Sequence, residues 1–285
     1  MRKKMQILAI VFSVLTIFAL SSRAGASGIT FDVIAPHEYD LPVNFPSFNA
    51  IVQYTYYNND SSAYDITAPK TDTVVGMTKY VRFFSLSCAP NIGFAYEVIV
   101  PEVSTQGNGI SASGIGDPIT GPAIWFKPTA NSTLGFQTFV QVPIGQDEVS
   151  NNNWGNLSSI FFDMNFGKFN IDGDIGGVFR STREVSGSPD VNVGPLFHTN
   201  VRFAYKIHPV FEPYLTFDFQ YKSSDDYAET GKTVQYSEGH ETALGGGVVV
   251  YFTDKISAAL AYSHAVEGEN VTQTNAVHLK FAYLW

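Results

Sequence analysis

The sequence predicts an all-β fold: a closed antiparallel transmembrane β-barrel of about 12 strands with short turns at one end and long loops at the other. Three observations predict it. Large apolar and polar residues alternate through one segment after another, as in Val277-His278-Leu279-Lys280-Phe281-Ala282-Tyr283-Leu284-Trp285, and alternation sets the two kinds on opposite faces of a strand. The connections between such segments alternate between short and long. The chain carries 23 Phe and 15 Tyr, which suit pleated surfaces, and its near-zero mean hydropathy conceals apolar residues that alternate with polar ones rather than cluster.

From the N-terminus, Arg2, Lys3 and Lys4 precede an apolar run from Ile7 to Leu20, and Ala24-Gly25-Ala26 supplies small residues after it. This is the pattern of a cleavable signal peptide over residues 1–26; the run is too short for a membrane helix, which needs about 20 apolar residues. Removing it moves the formal charge from −9 to −13, since Arg2, Lys3, Lys4 and Arg23 leave and no acid does. An acidic chain without clustered Lys and Arg is a poor partner for nucleic acid. Cys88 is the lone cysteine, so no intrachain disulfide forms.

Residues 27–47 hold Pro36, Pro42 and Pro46 around His37-Glu38-Tyr39-Asp40. The prolines forbid a regular strand, so this stretch is expected to be an N-terminal periplasmic tail or a plug inserted into the lumen. The barrel is expected over residues 48–285.

Its strands are predicted at Phe48–Tyr57, Val74–Leu86, Ile92–Val100, Pro118–Lys127, Thr133–Pro143, Leu157–Phe166, Phe169–Arg180, Val193–Lys206, Phe211–Lys222, Glu241–Phe252, Ile256–Val266 and Ala276–Trp285. Most are long enough to cross a bilayer, which takes about 9–11 tilted residues. In the second, Lys79 and Arg82 fall on opposite faces, and a bulge is expected to shift the register there. Long connections at Asn58–Thr73, Pro101–Asp117, Ile144–Asn156, Ser181–Val191, Ser223–His240 and Glu267–Asn275 alternate with short ones at Ser87–Asn91, Pro128–Ser132, Gly167–Lys168, His208–Val210 and Thr253–Lys255. Strict alternation suits an even number of strands with both termini in the periplasm. The terminal alternation Phe281, Tyr283, Trp285 resembles the C-terminal insertion signal read by the barrel-assembly machinery.

The polar face of each strand should line the lumen. Glu97, Asp163, Asp172, Asp174, Arg180, His198, Asn200, Arg202, Tyr214 and Asp218 are the candidate lumen residues along a solute path. Asp163, Asp172 and Asp174 come together in the hairpin turned by Gly167-Lys168, so a cation should lie near: Arg180, Arg202 or a bound ion. Lys206 and Glu212 flank Pro209 symmetrically and are expected to pair across strands. His198, Asn200 and Asp218 are expected to be adjacent, but no Ser stands beside them in a nucleophile motif, and no histidine falls in a metal-binding spacing. Gly231-Lys232-Thr233 mimics the end of a phosphate-binding loop, with Asp226 where its first glycine belongs. No enzyme, cofactor or resident metal is expected.

Three stretches carry a family likeness: Tyr80-Val81-Arg82-Phe83-Phe84-Ser85-Leu86 with the following Ile92–Pro101 segment, Ser113-Gly114-Ile115-Gly116-Asp117-Pro118-Ile119-Thr120-Gly121-Pro122, and the polar loop Gly145–Trp154 after Val142-Pro143. In these the chain resembles the outer-membrane proteins grouped under the MetA-pathway of phenol degradation. The resemblance implies a transporter-like barrel for small hydrophobic or aromatic compounds. The expected function is therefore a monomeric, passive channel in the outer membrane of a Gram-negative bacterium, with lipid and a small solute as partners. The alternatives are a structural or adhesive surface barrel with a plugged lumen, and a barrel enzyme acting on lipid.

Overall fold

The computed structural model describes residues 34–59, 63–64, 71–107, 110–184 and 189–285. The expected signal peptide and residues 27–33 lie outside them. The strands are β1 (Phe48–Asn59), β2 (Asp72–Leu86), β3 (Ala89–Gly107), β4 (Ile110–Ile115), β5 (Ile119–Thr129), β6 (Ser132–Gln141), β7 (Gly155–Phe166), β8 (Phe169–Arg180), β9 (Val191–Asn192), β10 (Leu196–Tyr205), β11 (Phe211–Lys222), β12 (Asp226–Tyr227), β13 (Gly239–Thr253), β14 (Ile256–Glu269) and β15 (Asn275–Leu284).

Twelve of them form one ring of antiparallel neighbours. β1 pairs with both β2 and β15, and β2–β3 completes the circuit that runs back through β5, β6, β7, β8, β10, β11, β13 and β14. The seam between first and last strands is continuous from Ala50↔Leu284 to Asn58↔Ala276, and Asn49 and Trp285 exchange both backbone hydrogen bonds at 2.9 and 3.0 Å. Closure leaves no row of unpaired N–H and C=O groups, which hydrocarbon would not tolerate. All twelve predicted segments are found as barrel strands.

The outward face is apolar: Leu215 is 65% exposed, Ile175 58% and Ile160 56%, with Phe136, Phe203, Leu279 and Phe281 also exposed. In water this band would far exceed the few hundred Å² of contiguous apolar surface usual on a soluble monomer; against acyl chains it costs nothing. Aromatic residues gather at the short-turn rim, where the Trp285 ring lies 5.5 Å from Tyr283 and 6.4 Å from Tyr80, as expected at a membrane–water boundary.

Two local expectations are corrected. No bulge interrupts the middle of β2, whose pairing with β3 runs unbroken from Asp72↔Gln106 to Ser85↔Gly93 and shifts only at the turn. Lys79 and Arg82 simply occupy opposite faces. Arg82 is tolerated outside because it lies near the rim, where its guanidinium donates to Asn49 Oδ1 at 3.1 Å. The connection expected as a plain loop over Pro101–Asp117 contains the top of β3 paired with β4 from Glu102↔Ile115 to Gly107↔Ile110.

The long loops are tied to one another. Asp117, 1% exposed, accepts from Gly145 N–H at 3.0 Å, Ser150 Oγ–H at 2.7 Å and Asn151 N–H at 2.8 Å. Gly145 is needed there, because a Cβ would stand 2.7 Å from the Gly116 carbonyl carbon. Two of the stretches that carry the family likeness thus meet at one carboxylate. A second clasp joins β12 to β9.

Candidate functional site

The lumen is not an empty polar tube. Residues 34–47, immediately before β1, run through it and touch strands all round the circumference. Arg202 Nε–H on β10 donates to the Ile34 carbonyl at 3.0 Å. Trp125 Nε1–H on β5 donates to the Pro42 carbonyl at 2.8 Å. The Tyr39 ring stacks on Phe161 of β7 at 4.5 Å, and Lys127 bonds Asp40 at 3.0 Å. The stretch turns at residues 36–39, where Glu38 N–H donates to the Ala35 carbonyl at 3.2 Å, and it pairs with no strand, so side chains and single carbonyls make its contacts with the barrel.

Glu38 is the centre of the attachment. Its carboxylate takes Lys280 of β15 at 2.5 Å and Lys79 of β2 at 3.2 Å, together with the Tyr54 hydroxyl; its backbone N–H donates to Asp172 Oδ2 at 3.2 Å. Burial alone would raise the Glu38 carboxyl, but the Lys280 and Lys79 ammonium groups and the hydrogen bonds from Lys280 and Tyr54 overcome it and hold the pKa at about 2. Lys79 also reaches Glu97 at 3.3 Å. The result is a network of four alternating charges, Lys280, Glu38, Lys79 and Glu97, spanning the pore from β15 to β3.

Two cavities lie on either side of this crossing. One, of about 440 Å³, occupies the short-turn half and is walled by Trp125, Phe161, Phe83 and Phe48. The Trp125 ring lies flat over Gly93, where any Cβ would sit 2.2 Å from it. The other, of about 80 Å³, is bounded by Ile34, Met77, Ile119 and Val178. Glu38, Tyr39, Lys79, Glu97 and Gln137 line both, which makes them the waist between the two.

All ten candidate lumen residues lie on the inner side of β3, β7, β8, β10 and β11, with Arg180 at the upper rim. Asp163↔Asp172 and Asn200↔Asp174 are direct neighbours in register. Arg202 stands opposite Asp172 and binds Asp218 at 2.8 Å. Asn200 Nδ2–H donates to Asp174 Oδ1 at 2.9 Å and lies 3.0 Å from His198 Nδ1. Tyr214 is buried beside Arg202 in a small gap. Arg180 lies apart from the aspartates: it donates to Gln141 at 2.7 Å, near the long loops. Phe281, Tyr283 and Trp285 face outward. The expected Lys206–Glu212 pair does not form; Glu212 instead accepts from His37 at 2.9 Å and Tyr251 at 3.2 Å, and Lys206 lies over the Tyr251 ring. The reason is the inserted segment, which offers Glu212 a nearer partner. Of the waist residues, Glu38, Tyr39, Lys79 and Gln137 were not among the lumen candidates read from sequence, nor was Lys280, the partner of Glu38, although the density of charge between Pro36 and Pro42 was a usable signal.

The model of the family described as "Putative MetA-pathway of phenol degradation" matches residues 57–281. The chain belongs to this family. No curated protein sequence matches it. Among solved structures, the COG4313 outer membrane channel from Pseudomonas putida F1 superposes with a TM-score of 0.78 at 17% identity, over 88% of this chain and 100% of that one. The β domain of the Bordetella autotransporter BrkA gives 0.54 at 11% identity over 83% and 99%. The translocator domain of the autotransporter NalP from Neisseria meningitidis gives 0.52 at 9% over 83% and 88%. At these identities the likenesses show the fold alone.

Proposed function

We propose that this family member is a passive channel of the Gram-negative outer membrane for small hydrophobic or aromatic solutes, closed at rest by residues 34–47. The observation that carries the reading is the division of the lumen into two cavities that share the Glu38–Tyr39 waist. A closed surface barrel needs no such cavities, and an enzyme would need a nucleophile that the His198–Asn200–Asp218 group lacks. The larger cavity favours an aromatic solute: it is walled by aromatic rings, and an apolar space of about 150 Å³ already accepts benzene. Transport is by diffusion, with lumen charges orienting the solute and acidic loops disfavouring anions. A channel named as such among the structural matches agrees with this, though its solute is its own.

The test is planar-bilayer conductance and liposome flux of phenol-sized solutes, for the mature chain and for a variant lacking residues 27–45. The reading expects small currents from the parent and a large stable pore from the truncated chain. Equal currents in both would remove the segment from the mechanism. No conductance and no flux from either would favour the surface-barrel alternative.

A further inference from the structure

We propose that His37, Asp40 and Asp163 hold one divalent cation of the zinc class, which clips the N-terminal segment to β7. One ligand atom from each residue lies within 4.8 Å of the other two. Tetrahedral zinc with bonds of ~2.1 Å places donors about 3.4 Å apart, a closure that side-chain rotation supplies.

His37 stands between two carboxylates: its Nε2 lies 2.9 Å from Glu212 Oε1 and its Nδ1 lies 3.9 Å from Asp163 Oδ2. A carboxylate that takes the far N–H of a metal-binding imidazole is also the usual outer partner of such a site.

An independent observation points the same way. Thr133 is the register partner of Asp163 and shares its inward face; it is 2% exposed, and among the described residues its hydroxyl has no hydrogen-bond partner. On the other side Asp172, wholly buried, leaves Oδ1 without a partner among them. Asp163 accepts amide hydrogens from Asn165 at 2.7 Å and Asn170 at 2.9 Å. Lys127 contacts Asp40 at the outer edge and Arg202, opposite Asp172, binds Asp218, so among the described residues no ammonium or guanidinium pairs with Asp163. A bound divalent ion would supply that positive charge, with the Thr133 hydroxyl placed to bond a metal-bound water. The 440 Å³ cavity, which His37 and Asp40 border, gives the ion an aqueous route. One imidazole nitrogen among carboxylate oxygens suits zinc better than calcium or magnesium. This departs from the sequence-based expectation of no metal, because the three ligands belong to two segments far apart in the chain. It rests on the lumen position of residues 34–47 and not on transport of any solute.

The experiment is calorimetric titration of zinc chloride into the EDTA-stripped, detergent-folded mature protein, with H37A and D163N beside it. Heat-shifted gel migration verifies folding, and H37A lies outside every strand, so it decides alone if D163N does not fold. The expected result is one zinc per chain, affinity reduced at least tenfold in each folded variant, and no calcium binding at the same concentrations. Absence of stoichiometric zinc binding, binding unchanged in H37A, or preference for calcium would each overturn the proposal. In the first case, two ring N–H signals from His37 would identify an imidazolium between Glu212 and Asp163.

Discussion

Replacing Glu38 by Gln should unfasten the segment that crosses the lumen. Transfer of Glu38 from water to its place in the barrel lowers its pKa from 4.5 to about 2. At 1.36 kcal/mol per unit, the ionised carboxylate favours the docked segment by about 3 kcal/mol. Its side chain is only 10% exposed, so little of this is lost to solvent screening. That is about two orders of magnitude in the docked-to-released ratio. The sign is that of an acid with a depressed pKa. The stabilisation is complete above pH 4.5 and is lost as pH falls from there towards 2. Single-channel recording should therefore show E38Q at pH 7 spending ~100-fold more time in a high-conductance state than the parent. The parent should approach the variant on acidification below pH 4.5, by up to tenfold per unit. Identical open-state occupancy for parent and E38Q, or opening that grows as pH rises, would refute the reasoning.

Three other perturbations probe different parts of the structure. Arg202→Ala removes the cation between buried Asp172 and Asp218 and should cost about 3–5 kcal/mol, read as a lower urea midpoint for detergent-folded protein. Asp117→Ala removes three hydrogen bonds to the 142–151 loop, each worth about 1.5–3 kcal/mol when a charged group is involved; protease should then cut that loop faster while the barrel's gel mobility is unchanged. Leu215→Arg places a charge on the outward face where exposure is 65% and should destabilise the bilayer-inserted barrel by about 2–4 kcal/mol; a variant as stable as the parent in lipid would mean that face meets water.

The barrel was legible in the chain because its signal repeats. Period-two alternation over segments such as Phe211–Lys222, punctuated by connections of alternating length, specifies strand, face and order together. The hairpin of β3 and β4 was not legible, since Ser, Gly and Gln around residues 104–113 read as solvent loop until the preceding strand extends into them. Half of the lumen site was likewise readable: inward charges on strands follow from parity, and Asp163, Asp172, Asp174 and Arg202 fell where parity put them. The other half comes from a proline-broken stretch with no period. Nothing local says that His37 will meet Glu212 or that Glu38 will join Lys79 to Lys280, because those contacts depend on closure bringing β2, β11 and β15 around the same axis. The Lys206–Glu212 expectation failed for that reason: cross-strand symmetry ignores a third segment between the strands.

In a bilayer the outward apolar residues contact acyl chains. Refolding the mature chain from urea into lipid vesicles and, in parallel, into plain buffer measures this directly by heat-shifted gel migration and β-sheet circular dichroism. A heat-modifiable, protease-resistant barrel in vesicles and only aggregate in buffer is the result predicted. A compact, monomeric, folded species in buffer without lipid or detergent would contradict it.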